Sequence, residues 1–160
     1  MKKIIIAIDS FKGCLTSAEA GKAAEKGIKS INPSCHTSVI PIADGGEGLL
    51  DVLITATKGK YITLSAHGPL MKMTKTHYGL SGNGRTAIIE MAAISGLPLV
   101  PIEQRNPMLT TTFGTGELIK DALNKGCRNF IIGIGGSATN DAGLGMLQAL
   151  GFRFLDKSGH

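Results

Sequence analysis

The spacing of apolar and polar residues changes rhythm twice along the chain. "KIIIAID" (3–9) is an unbroken, β-branched apolar run, the pattern of a strand buried on both faces of a parallel sheet. "TSAEAGKAAEKGIKSI" (16–31) is rich in Ala, Glu and Lys, and Thr16 followed by Glu19 forms a capping box, which predicts a helix from that point. "TSVIPIA" (37–43) predicts a second strand. "DGGEGLLDVLITATKG" (44–59) predicts a second helix with its own acidic cap, Asp44 and Glu47, and a stop at Gly59. This β-α-β-α order with short loops predicts parallel strands in an α/β layer.

From residue 60 the rhythm becomes alternating. "KYITLSAHGP", "MKMTKTHYGLSG" and "RTAIIEMA" place apolar residues at every second position, separated by Gly-Pro and Gly-Asn-Gly turns, which predicts antiparallel hairpins. After Met108 the α/β rhythm returns, with a helix over 111–126, a strand over 129–135 and a helix over 140–151. "FRFLDKSG" (152–159) then reads as the outgoing arm of a hairpin turning at Asp-Lys-Ser-Gly, without its return strand. The expected fold class is α/β: a Rossmann-like parallel layer plus part of a second, mixed α/β lobe. A boundary near His67 would divide the chain into 1–66 and 67–160.

Composition narrows the picture. With 42% hydrophobic residues in 160 the chain can build a core, and with 4% aromatics and no Trp that core must be aliphatic. The 22 glycines cluster in loops beside apolar runs, as in α/β enzymes. The net charge of +5 comes from scattered lysines; without a basic block or interleaved aromatics it argues against nucleic-acid binding and suits a small anionic substrate. Three cysteines, Cys14, Cys35 and Cys127, lack disulfide or zinc spacing, which points to a reducing cytoplasm. Apolar runs broken at Asp9 and at Ser95, Gly96 and Pro98 are too short for a signal sequence or a membrane span.

Four loops carry candidate chemistry. In "DSFKGCLTSAEA", Asp9 and Ser10 follow the carboxyl end of a strand, where open α/β sheets place ligands, and Lys12 precedes a helix start that suits an anion. The competing reading is that they satisfy loop backbone and solvent. In "PIADGGEG", Asp44 and Glu47, one helical turn apart, could hold Mg²⁺ or accept hydroxyl hydrogen bonds, while Gly45 and Gly46 let a substrate approach; the competing reading is a plain helix cap. "TTTFGTGELI" offers hydroxyls, Thr115 among them, to an anion or to its own helix. In "FIIGIGGSATNDAGLG", Gly133, Gly135 and Ala138 with Asp156 fit a dinucleotide fingerprint. Ser137, Thr139, Asn140 and Asp141 favour instead a polar loop for another anion, and a bare turn is the third reading. No Gly-Lys-Ser/Thr follows, so the loop is not a Walker A motif. His36, His67, His77 and His160 show no metal or triad spacing, and Cys14 has no histidine partner in a nucleophile pattern.

Taken together, "DSFKG", "PIADGGEG", "RNPMLTTTFGTGELI" and "GIGGSATNDAGLGMLQALG", in that order, resemble the N-terminal portion of glycerate kinases of the type that makes 2-phosphoglycerate. The resemblance implies a two-lobed cytoplasmic α/β kinase that transfers phosphate from MgATP to D-glycerate in a cleft between lobes. An isolated nucleotide- or dinucleotide-binding module, or one half of a split enzyme, would carry the same loops. Side-chain chemistry assigns Lys12 to a phosphate or the glycerate carboxylate, and Asp44 and Glu47 to Mg²⁺ or the glycerate hydroxyls. Ser10, Gly45 and Gly46 join the substrate contacts, and Gly135, Gly136, Ser137 and Thr115 the phosphate contacts. Asp9 or Asp141 is the expected general base, with Asn140 orienting it. Two departures stand out. Ala142 occupies a position where the family usually has glycine, and strains the loop if φ is positive there. The family chain is also more than twice this length, so the expected partner is a missing C-terminal half or a second copy.

Overall fold

The computed structural model describes residues 3–159, which excludes His160. Strand β1 (Lys3–Ile8) leads through helix α1 (Ser17–Ile31) to β2 (His36–Pro41), and β1 and β2 pair in parallel as a two-stranded sheet. The capping box forms as expected: the Thr16 hydroxyl accepts from Glu19 N–H, and the Glu19 carboxylate accepts from Thr16 N–H at 2.9 Å.

Helix α2 (Leu49–Thr57) crosses to the second sheet, where β4 (Met73–Leu80) pairs antiparallel with both β3 (Lys60–His67) and β5 (Thr86–Glu90). Helix α3 (Ala92–Ser95) and helix α4 (Phe113–Asn124) lead to β6 (Asn129–Gly133), which pairs parallel to β5, and α5 (Leu144–Ala149) closes the order. The alternation that predicts hairpins over 60–92 is thus realised, as is the mixed α/β class.

Strand β5 is the core of the second sheet, and its period of two divides the packing. Ala87 and Ile89 face the cluster of Tyr78, Leu118, Ala122 and Cys127 beneath α4, while Ile88 faces Leu50 and Ile54 of α2. Helix α5 lies close on α4 because Gly116 has no side chain: a Cβ there would sit 2.3 Å from the Met146 carbonyl oxygen.

Three expectations are corrected. Strand β1 is not buried on both faces: Ile6 is inside, but Ile5 is 59% exposed, because α1 covers only one side of a two-stranded sheet. Helix α2 begins at Leu49 rather than at Asp44. Gly48 takes the N-cap position in a left-handed conformation, and neither Asp44 nor Glu47 caps the helix. Residues 152–156 form no strand, although the turn after them exists, with Gly159 N–H donating to the Asp156 carbonyl at 3.1 Å.

Candidate functional site

The carboxyl ends of β1, β2 and β5 open on one cavity of ≈ 490 Å³. Ser10 and Lys12 reach it from the loop after β1, Glu47 from the loop before α2, His77 from β4 and Glu90 from the last position of β5. A ligand site at strand carboxyl ends is where open α/β sheets hold small molecules.

The residues expected in the site divide on this geometry. Ser10, Lys12 and Glu47 line the cavity; Asp9, Asp44 and Asp141 do not. Asp9 accepts from Ser10 N–H at 2.6 Å. Asp44 accepts from Gly46 N–H at 3.1 Å, making a tight turn, so it and Glu47 are not one helical turn apart. Among the described residues no group of three or more His, Cys, Asp or Glu side chains could hold a metal ion. Magnesium needs few protein oxygens when phosphates supply the rest, so Glu47 fits that role while Asp44 lies outside the cavity.

The glycine loop after β6 lies against the loop before α2. Gly135 N–H donates to the Gly45 carbonyl at 3.0 Å, so it is not free for a phosphate. Gly136 and Ser137 N–H donate to no described residue. After β6 the next helix starts only at Leu144, so Gly133, Gly135 and Ala138 lack the strand–turn–helix setting a dinucleotide fingerprint requires. Thr115 is buried at 1% exposure, its hydroxyl 2.9 Å from that of Ser95, and Asn140 is exposed.

Asp141 joins two helix starts. Its Oδ2 accepts from Thr112 N–H (2.8 Å), the Thr112 hydroxyl (2.8 Å), the Thr111 hydroxyl (3.3 Å) and Gly145 N–H (3.1 Å), and its Oδ1 from Gly143 N–H (3.1 Å). Burial pushes its pKa up, but these hydrogen bonds outweigh burial and hold it below the ordinary carboxylate value. Ala142 beside it has φ 51°, the positive value at which a glycine is expected. Ala142→Gly is expected to stabilise the protein by about 1 kcal/mol, read as a higher urea midpoint at constant m-value.

Sequence reasoning missed Glu90. The period that turns Ile88 toward α2 turns Glu90 the same way, and its Oε2 accepts from Gly48 N–H at 3.1 Å and Leu50 N–H at 3.2 Å. Burial pushes its pKa up; those two bonds oppose the shift, and the charges of Asp51 and Glu47 add to it. The available signal was an acidic residue ending an otherwise apolar strand, at the end where ligands bind. Of the histidines, His67 pairs with Glu117 at 2.9 Å, His36 starts β2, and His77 lines the cavity beside Tyr61.

Lys12, Glu19, Glu47, Asp51 and Glu90 gather around one cavity beside strand carboxyl ends, an arrangement of the class of α/β proteins whose sheet edge suits a small polar ligand. The chain belongs to the Glycerate kinase family, whose sequence profile matches residues 4–160. It is 56% identical over 157 residues to a glycerate kinase of Bacillus subtilis, covering 98% of this chain and 41% of that one. It is 51% identical over 158 residues to a glycerate 2-kinase of Escherichia coli, covering 99% of this chain and 42% of that one. A crystal structure assigned to glycerate kinase 2 of Salmonella typhimurium LT2 superposes with a TM-score of 0.84 at 49% identity, covering 100% of this chain and 43% of that chain. The chain therefore spans about two fifths of the length of the relatives it matches.

Proposed function

We propose that the protein carrying this chain is an ATP-dependent kinase that phosphorylates D-glycerate to 2-phosphoglycerate. The observation that carries the reading is the gathering of Ser10, Lys12 and Glu47 around one cavity in a member of the Glycerate kinase family. Phosphoryl transfer is achieved mainly by positioning and charge neutralisation. Lys12 supplies a cation for the glycerate carboxylate or a phosphate. Ser10, Glu47 and the Gly45–Gly46 turn meet the glycerate hydroxyls, with Asn140 within the polar loop. The N–H groups of Gly136 and Ser137 face phosphate, while Gly135 and Thr115 hold the architecture. Mg²⁺, held by Glu47 and the nucleotide, would neutralise phosphate charge.

The test is ATP-dependent phosphate transfer to D-glycerate by the full-length protein, with Lys12→Ala compared. Loss of a charge-assisted contact is expected to raise KM for glycerate roughly tenfold. Lys12→Ala with wild-type kcat and KM would remove this cavity as the site.

A second reading divides the same activity between two chains. It is supported by the exposed apolar residues Ile5 and Ile40 of the first sheet and Ile131 and Ile132 of β6. On that reading the 160-residue chain transfers phosphate only when mixed with a complementary C-terminal chain, and a second copy of itself does not substitute. We further propose a lobe division between 1–66 and 67–160, supported by the separation of the β1–β2 sheet from the β3–β6 sheet, and a cytoplasmic location, supported by three cysteines without disulfide or zinc spacing. Among the described residues no helix is long and apolar enough to cross a membrane.

A further inference from the structure

Glu90 is 8% exposed, yet only one of its two carboxylate oxygens is taken. Oε2 accepts from the N–H groups of Gly48 and Leu50, whereas Oε1 accepts from no described residue. Among the described residues no buried side-chain oxygen or nitrogen is both sealed from solvent and without a partner. Oε1 is therefore accessible, and the cavity that Glu90 lines with Ser10, Lys12 and Glu47 is the space it reaches. A nearly buried carboxylate with one oxygen anchored and the other open is a fixed hydrogen-bond acceptor aimed at a ligand.

We propose that Oε1 of Glu90 accepts the proton of the substrate hydroxyl that is phosphorylated, which makes Glu90 the general base of the reaction. The inference rests on the kinase reading above. In the step, the substrate O–H bond breaks and its proton passes to Oε1. The freed oxygen bonds to the terminal phosphorus of a nucleoside triphosphate. The bond from that phosphorus to the bridging oxygen breaks, and the nucleoside diphosphate leaves with the electron pair.

The other carboxylates fit the role less well. Asp141 has both oxygens engaged by backbone and hydroxyl donors away from the cavity, and Asp9 does not line it. Glu19, Glu47 and Asp51 line the cavity but are exposed to solvent, with Glu19 capping α1 through Thr16 and Asp51 accepting from the Tyr61 hydroxyl. Anchoring at Oε2 also fixes where Oε1 points, so the base needs no rearrangement before it acts. Burial, which raises the affinity of Glu90 for a proton, works in the same direction.

Glu90→Gln tests the role, because the amide oxygen can still accept from Gly48 and Leu50 but the side chain cannot take up a proton. In the full-length protein, kcat for D-glycerate is expected to fall by about 100-fold or more. KM should stay within a few-fold and the melting temperature within a few degrees. Glu90→Asp, which keeps the carboxylate, should recover at least part of the lost kcat. Glu90→Gln turning over at the wild-type rate would overturn the assignment and leave the kinase reading standing. The assignment fails equally if Glu90→Asp, folded and binding glycerate, is no faster than Glu90→Gln. Wild-type protein that transfers no phosphate to glycerate would sink both readings.

Discussion

Asp141→Ala is expected to lower the folding free energy by about 3 kcal/mol, because hydrogen bonds to a charged acceptor count for more than neutral ones and their donors would be left unpaired. The carboxylate holds the first turn of α4 through Thr112 and the first turn of α5 through Gly145. The two helix starts approach closely: a Cβ on Gly145 would sit 2.0 Å from the Thr111 hydroxyl and 2.8 Å from Asp141 itself. Thr112 extends the link, its hydroxyl accepting from Met146 N–H at 2.9 Å while donating to Asp141. Urea unfolding of the purified protein measures the loss. A difference below about 0.5 kcal/mol, the scale of an ordinary surface substitution, would show that the helices dock without the carboxylate.

The same residue sets a pH dependence. Its folded-state pKa lies below the ordinary 3.8, so the folded protein binds its proton less readily than the unfolded chain. Its contribution is then fully present above that ordinary value and is lost as pH falls through the lowered one. The stability gap between wild type and Asp141→Ala should accordingly narrow in acid and stay constant near neutrality. Asp141 reads in the sequence as a polar loop residue beside glycines, which is equally the description of a catalytic aspartate. Only the spatial meeting of residues 111–112 with 141–145 shows what its oxygens hold.

That contrast runs through the molecule. Local chemistry is legible in the chain: Thr16 and Glu19 cap α1, alternation marks β3 and β4, and the position of Ala142 carries the positive φ expected of a glycine. Features that depend on a distant partner are not. Asp44 and Glu47 look like the cap of α2, yet the N–H groups at its start are satisfied by Glu90, more than a strand and a hairpin away in sequence. The isoleucines of β1 announce a face suited to burial without naming what covers it, and here much of that face is open. Ser10, Lys12 and Glu47 could be recognised because each follows or approaches a strand end. Glu90 could have been found by the same rule, had the acidic end of "TAIIE" been weighed like the loops.

Gly135→Ala is expected to damage the site more than its distance from the cavity suggests. A Cβ at Gly135 would lie 2.6 Å from the Gly46 Cα and 3.0 Å from the Gly46 nitrogen. These are backbone atoms, so no side chain can swing aside, and the loop after β6 must separate from the loop before α2. Overpacking of this kind costs about 1–3 kcal/mol. The larger consequence is positional. Glu47 and the N–H of Gly48 sit on the displaced loop, and Glu90 is anchored to it. A shift of about 1 Å in a reacting group can lower turnover by about 100-fold, so kcat should fall far more than stability does. Gly27→Ala is the control: it lies in α1, and a Cβ there would meet nothing within 4 Å. If Gly135→Ala keeps the turnover of Gly27→Ala, the two loops do not act as one unit, and phosphate contacts at Gly136 and Ser137 lose their link to the cavity where Lys12 and Glu90 stand.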